Sequence, residues 1–462
     1  MTVIERGAGW RDLLASRELG RFVLLCLGVW LHAADSLVAA TIVPAMVEEI
    51  GGVAYVGWTI SLYQIGAIVA GAATAMLCRR GGVKPVLVIA ACLYGAGCAI
   101  AALAPNMAVL LAARLVQGIG GGTLISLSYV AIQQAFSERL WGKLFGVVAL
   151  IWGVGSLVGP LIGGVFADLG AWRLAFWFFA LQAAILAAAG QAMLAALPRE
   201  SEAGGRWPLL PLLTLSAATL LIAQAGVEGR VPLSVALCLA GIGLLYVAGR
   251  LDRRSASRLL PAQSLDPRHP LGAGLLMLVT LASATTGFWA YGPLILKIMF
   301  GTDPLISGYI LAAEALAWSL ATLAISGVPA SAGVALIRAG TSLVALGTAA
   351  FALAVPMGSL WGMILCSLLQ GAGFGIAWPA IVQRTVRFAD PAEQGLAAAS
   401  PGTVQRIGYA IGAAATGIAA NMSGLAAGVS AEAASAAGFW VFAGFIPVLL
   451  VGLAAAWRFT RE

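Results

Sequence analysis

Four stretches of this chain carry no Asp, Glu, Lys or Arg between their bounding charges: Lys84 to Arg114, Arg206 to Glu228, Arg268 to Lys297 and Arg338 to Arg384. Each is long enough for at least one helical span of about 20 residues across a hydrocarbon core of about 30 Å. Backbone in lipid must satisfy its own hydrogen bonds, so apolar runs of this length fold as membrane-crossing helices. Composition agrees, since 61% hydrophobic and 10% charged residues cannot cover the surface of a water-soluble globule. The longest polar stretches run only about Gly249 to His269 and about Asn421 to Ala437, which leaves no place for a soluble domain.

The N-terminal text MTVIERGAGWRDLLASRELGRF is basic and mildly amphipathic, has no small-residue cleavage site, and precedes a span too long for a signal-peptide core. It reads as a retained cytoplasmic segment. Six cysteines (Cys26, Cys78, Cys92, Cys98, Cys238, Cys366) lie in or beside apolar runs without paired spacing, so neither a disulfide framework nor a metal site is indicated.

Hydropathy read against Pro, Gly and charge gives fourteen spans, centred near residues 33, 66, 94, 121, 154, 185, 216, 240, 284, 316, 343, 371, 408 and 448. With a cytoplasmic N-terminus, about 20 of the 26 Lys and Arg residues fall inside, and only Arg173, Arg230 and Lys297 fall outside. This asymmetry supports the count and the orientation, and it accounts for the net charge of +7. The basic residues are spread over short loops, so nucleic acid is not a partner.

An internal repeat sets the architecture. RLVQGIGGG begins at Arg114 and SLLQGAGFG at Ser367, which places Gln117 and Gln370 253 positions apart. A weaker echo joins VGWTISLYQIGAI from Val56 to SGYILAAEALAWS from Ser307. Six helices take about 190 residues, so the excess belongs to two helices between Trp207 and Arg250 without counterparts. The expected fold is an all-α polytopic membrane protein: a six-helix bundle in 1–200, two inserted transmembrane helices in 201–255, and a second bundle in 256–462. Parallel repeats of this kind build rocking transporters with a midplane site between the halves.

At this point the text resembles a family. Arg114, Gln117, Gly118 and Gly120 match the Arg-x-x-Gln-Gly-x-Gly motif of the major facilitator superfamily. Gly146, Gly155, Gly159, Pro160, Gly163 and Gly164 are similar to its antiporter motif, and GAWRLAFWF resembles the Trp-Arg-x-x-Phe that trails it. The inserted pair, TIVP after Asp35 and TVQRIGYAIG in the thirteenth span are similar to the fourteen-helix drug/proton antiporter branch. The resemblance implies a monomer in the plasma (inner) membrane with both termini cytoplasmic, no cofactor, and the proton gradient as energy source. Independently of family, small residues four apart let membrane helices approach closely, and a proline bends its helix. One departure stands out. Between the second and third spans the superfamily has an acidic latch, whereas ATAMLCRRGGVKPVL has Cys78 or Arg79 at the acid's place. The corresponding loop of the second half, SGVPASAGVALIR, has no charge before Arg338.

Few ionisable groups are left within the spans: His32, Asp35, Arg114, Glu314, Arg338 and Arg406. A charge at the bilayer centre costs at least about 2.5–3.5 kcal/mol, so each needs a partner, a wet cavity or neutralisation. Asp35 can carry a proton, as a carboxyl group in a low-dielectric cleft is able to do near neutral pH, or it can form a permanent pair with Arg114. Arg114 can tune Asp35 or hold a helix junction. His32 shares a helical face with Asp35 and can share its proton or bond a carbonyl. Glu314 resembles in position the tenth-helix acids that some family members use for cationic drugs or protons. Trp30, Trp58, Tyr63, Trp152, Trp289, Tyr291 and Trp318 are candidates to line an apolar substrate cavity, or to anchor at the interface. No nucleotide-binding loop, metalloprotease motif or nucleophile elbow occurs. The expectation is a non-enzymatic, proton-driven antiporter exporting amphiphilic or cationic small molecules. The alternatives are an exporter or flippase of one lipid or metabolite, and a non-transporting membrane sensor or assembly protein.

Overall fold

The structure, a computed structural model, describes residues 18–136, 138–194, 208–228, 230–255, 258–325, 328–425 and 430–461. Its long elements are helices: α1 (Glu18–Ile50), α2 (Val56–Gly81), α3 (Val83–Ala102), α4 (Met107–Ala135), α5 (Glu138–Asp168), α6 (Trp172–Met193), α7 (Leu209–Val227), α8 (Val231–Arg254), α9 (Pro270–Phe300), α10 (Pro304–Ala324), α11 (Gly333–Ala354), α12 (Leu360–Arg387), α13 (Gln394–Met422), α14 (Ala431–Ala443) and α15 (Ile446–Phe459). Among the described residues, thirteen segments are long and apolar enough to cross a membrane, α14 and α15 together supplying one. α13 is the other membrane-length helix, at 29 residues. It packs against α2, α7 and α9, so its more polar text is turned to protein rather than lipid.

Local chemistry sets the ends. Asn106, Ser359 and Ser430 cap α4, α12 and α14 with side-chain oxygens that accept backbone N–H bonds. Gly301 ends α9 at φ 63°, and Gly82 at φ 84° is the sole residue between α2 and α3, a turn that disfavours any side chain. The second polar stretch is shorter than its composition suggests. Cap and alanines in SAEAASAAG start α14 at Ala431, and helix propensity prevails over the scarcity of large apolar residues.

α1 to α6 form one bundle, in which α4 packs against α2 and α3, and α1 against α4, α5 and α6. α9 to α15 form the second, with α12 against α10 and α11, and α9 against α13 and α15. The bundles meet where α2 lies on α13 and α5 on α10. The inserted α7–α8 hairpin covers one of these seams, because α7 contacts both α2 and α13. α8 turns Leu239, Ile242 and Tyr246 outward, as a lipid-facing helix does.

The repeat is legible in glycine contacts. α4 lays Gly118 against the backbone of Tyr63, and α12 lays Gly371 against the backbone of Glu314, so Tyr63 and Glu314 occupy equivalent places. Gly57 of α2 abuts Ala413 of α13, and Gly308 of α10 abuts Pro160 of α5, which makes the two seams equivalent as well.

Helix alternation leaves one end of the molecule rich in Lys and Arg and the other with Arg173, Arg230 and Lys297. At the sparsely charged end the halves are drawn together. Lys297 Nζ lies 2.6 Å from Glu48 Oε2. The Asn421 amide donates to the carbonyls of Ala54 (2.9 Å) and Gly226 (2.6 Å), joining both bundles and the insert.

Candidate functional site

The first bundle holds a buried polar network built from four helices. Asp35 stands near the middle of α1, where its carboxylate accepts from Arg114 Nη1 at 2.9 Å and from Gln117 Nε2 at 2.7 Å. Arg114 also donates to Gln117 Oε1 (2.8 Å) and to the Thr59 carbonyl (3.3 Å), and Gln117 Nε2 reaches Cys98 Sγ at 3.2 Å. The side chains of Arg114 and Asp35 are 5% and 1% exposed, so the charges compensate each other almost out of contact with water. Pairing and saturating hydrogen bonds are what make such burial tolerable. Glycines of α3 and α4 allow the approach. A Cβ at Gly97 would strike Gln117, and one at Gly121 would lie 2.5 Å from the Tyr63 hydroxyl and 3.2 Å from His32 Nδ1.

His32 and Tyr63 extend the network towards the second bundle. The Tyr63 hydroxyl and His32 Nδ1 share a 2.7 Å hydrogen bond, the Arg114 guanidinium sits 4.4 Å from the centroid of the Tyr63 ring, and Trp152 meets His32 edge-on at 5.6 Å. His32 thus bonds Tyr63 rather than Asp35.

Glu314 is isolated by comparison. It lies midway along α10, buried, and its Oε2 accepts from Trp289 Nε1 of α9 at 2.6 Å. No cation pairs with it among the described residues. Asp35 and Glu314 stand in different bundles with no bond between them.

The remaining aromatics divide. Trp30 donates to Gln182 at 2.9 Å and Trp58 to the Ala223 carbonyl at 2.7 Å, so both indoles are engaged in helix junctions, α1 with α6 and α2 with α7. Trp318 is stacked at 4.9 Å on Phe374 and packed on Trp378, joining α10 to α12. Tyr291 is wholly buried, and its hydroxyl is directed at the backbone of Gly57 in α2 without a hydrogen bond of full geometry among the described residues. Tyr63, Trp152 and Trp289 are the three that touch the ionisable groups.

α5 is gripped from two sides. A Cβ at Gly155 would lie 3.3 Å from that of Ala33, one at Gly159 2.9 Å from that of Leu37, and one at Gly163 3.0 Å from that of Thr41, so these glycines form a track for α1. Gly164 faces the other way, against the backbone of Leu305 in α10, and Pro160 meets Gly308 there. Gly146 lies in α5 further towards the basic end; its immediate surroundings are outside the described residues, as is the side chain of Arg79 in the latch position. Arg338 is placed at the basic end, where it donates to Thr460 Oγ1 at 2.9 Å, not at mid-membrane. Among the described residues no group of three His, Cys, Asp or Glu side chains could hold a metal.

Two repeat-related bundles enclosing midplane ionisable groups, with glycine-lined contacts between them, define a rocking secondary transporter. Residues 25–413 match the sequence model of the Major Facilitator Superfamily, and the chain belongs to that family. It is a multi-pass integral membrane protein and a secondary active transporter rather than an enzyme. A "probable multidrug-efflux transporter" of Mycobacterium tuberculosis is 31% identical over 475 residues, covering 100% of this chain and 98% of the relative. Among solved structures, the nucleoside transporter NupG aligns with TM-score 0.69 at 13% identity over 96% of this chain and 100% of its own. A D-xylose-proton symporter aligns with TM-score 0.67 at 16% identity over 96% and 97% of the two chains. At these identities the structures attest the fold alone.

Proposed function

We propose that this protein is a proton-coupled antiporter of the fourteen-helix drug/proton branch, exporting amphiphilic or cationic small molecules. The observation that carries the reading is Glu314, a buried carboxyl group with one indole donor and no cation among the described residues, at the place equivalent to Tyr63 in the other half. An uncompensated carboxylate there is costly, so the site is met in turn by a proton and by a cationic substrate. Trp289 supplies an aromatic surface beside it. Asp35, Arg114, Gln117 and His32 form the second proton-coupling station. The resemblance to an efflux transporter over the full chain supports export.

On the positive-inside rule the basic end, and with it both termini, is cytoplasmic; the plasma (inner) membrane is the location that the family resemblance implies. The closed end is then external. Working units are 1–200 and 256–462, with 201–255 as the insert, in a monomer driven by the proton gradient. α7 covers the α2–α13 seam, which weighs against lipid entering there as a flippase would require.

The test is flux of a fluorescent organic cation in proteoliposomes under an imposed pH gradient. Wild type should accelerate uptake against the gradient, and Glu314→Gln and Asp35→Asn should each abolish that acceleration. Unchanged gradient-driven flux in both variants would sink the proton-coupling role of these acids.

A further inference from the structure

Among the described residues, Arg406 is a mid-helix cation that the coupling scheme above does not use. It lies at about the midpoint of α13, the helix wedged between the bundles at the α2–α13 seam. It is half-buried, and it makes neither a hydrogen bond nor an ion pair among the described residues. The contrast with Arg114 is direct, because that guanidinium has a carboxylate, an amide and a carbonyl around it. Among the described residues, His32, Tyr63 and Tyr129 of the opposite bundle lie within electrostatic reach of Arg406, and none of these is a carboxylate. The adjacent Gln405 adds a buried Nε2 donor that has no acceptor. Three residues further along the same face of α13, Tyr409 lies within reach of Glu314.

A five-donor guanidinium held in a membrane protein without an acceptor is a site prepared for an anion, and its planar fork fits a carboxylate bidentately. One turn separates it from Tyr409, which lies within electrostatic reach of Glu314, so a positive and a negative group stand on the two helices of the second bundle that meet the first. We propose that Arg406 is the anion-accepting subsite of the substrate cavity, and that the transported class is zwitterionic: an aromatic amphiphile carrying a carboxylate beside its cationic group. This rests on the antiporter reading, with Glu314 receiving the cationic end. Of the two mid-helix acids, Asp35 is not available to the substrate, because its carboxylate is closed off by Arg114 and Gln117.

The test uses a matched pair of probes: a xanthene dye with a delocalised cation and a free benzoate, and the methyl ester of the same dye, which is a cation only. Binding to the purified full-length protein in nanodiscs is followed by fluorescence polarisation, with proteoliposome flux of both dyes in parallel. Wild type should bind the free acid about tenfold more tightly than the ester, the size expected of a charge-assisted pair. Arg406→Gln should lose that preference while binding the ester as wild type does, and Arg406→Lys should keep a part of it. Equal affinity of wild type for acid and ester overturns the proposal. So does an Arg406→Gln variant that loses both probes equally yet elutes and melts as wild type, since the residue is then needed for the cavity and not for the carboxylate. Ester flux that responds to the pH gradient in wild type and in Arg406→Gln leaves the antiporter reading standing in either of those cases, so the two failures are distinguishable.

Discussion

Gly164→Ala isolates the contact between the halves. A Cβ at this position would lie 2.6 Å from Leu305 Cα and 2.9 Å from Leu305 N, both backbone atoms of α10 in the opposite bundle. The nearer distance falls about 0.8 Å short of ordinary contact at 3.4 Å, and no side-chain rotation can relieve it. α5 and α10 must separate at the sparsely charged end, where Glu48 pairs with Lys297. Overpacking of this kind costs about 1–3 kcal/mol. Borne by one conformer only, it moves a two-state equilibrium by about 5- to 150-fold. The population should therefore shift from the state closed at that end to the one open there. Spin labels on cysteines at Leu169 and Met357, 71% and 77% exposed on opposite bundles, report the separation once the six native cysteines are replaced. The expected result is a longer-distance population in Gly164→Ala, together with slower substrate flux. Gly243→Ala in α8 is the control, because nothing lies within 4 Å of its added methyl, and it should match wild type. A distance distribution and flux for Gly164→Ala indistinguishable from that control would refute the claim that this seam closes in transport.

Asp35→Asn leaves Arg114 buried with only neutral acceptors, so thermal stability should fall by an amount near the ~3–5 kcal/mol that breaking a buried pair costs. Adding Arg114→Gln should restore stability, measured by a melting assay in detergent, without restoring gradient-driven flux; recovery of both would make the pair purely structural. Glu314→Gln keeps an amide oxygen for Trp289 to donate to, so melting should stay close to wild type while the flux response to pH disappears. A large loss of stability would instead assign Glu314 to packing. Asn421→Ala strips the donor from the Ala54 and Gly226 carbonyls, at about 1–3 kcal/mol for each acceptor left buried. It should increase thiol labelling of cysteines introduced at the sparsely charged end, and unaltered labelling would contradict a locking role for that amide.

Much of this architecture is readable in the chain because lipid removes options. A run such as the one between Lys84 and Arg114 must be helical, and Pro, Gly and charge then mark where each helix can end. The repeat was legible for a related reason: Gly118 and Gly371 each sit where a helix backbone crosses, so the same residue recurs in both halves. Partner choice was not. Asp35 and Arg114 are 79 positions apart, and nothing local in either segment specifies the distance between them. The same holds for Trp30 and Trp58, whose indoles look like cavity aromatics in isolation and are committed to Gln182 and to the Ala223 carbonyl by helix packing. Arg406 is visible as a membrane charge, but that no described residue pairs with it depends on how three facing helices pack around α13.

The two bundles handle charge differently, and that difference bears on mechanism. In the first, Asp35 and Arg114 neutralise each other within one domain in the state described, so their pairing changes only when a proton is taken up or released there. In the second, Glu314 and Arg406 stand on α10 and α13, the two helices that also form the seams, without an ion-pair partner among the described residues. Electrostatic stabilisation there must come from outside the chain or from the facing bundle, and so it changes as the seams open and close. A ligand shifts the equilibrium only by its differential affinity for the two states, and these two helices are where such a difference arises most directly. Replacing Glu314 or Arg406 should therefore alter how substrate changes the Leu169–Met357 distance, whereas replacing Asp35 and Arg114 together should alter the ligand-free distribution and leave the substrate-induced shift in place. The opposite pattern would transfer the coupling to the first bundle.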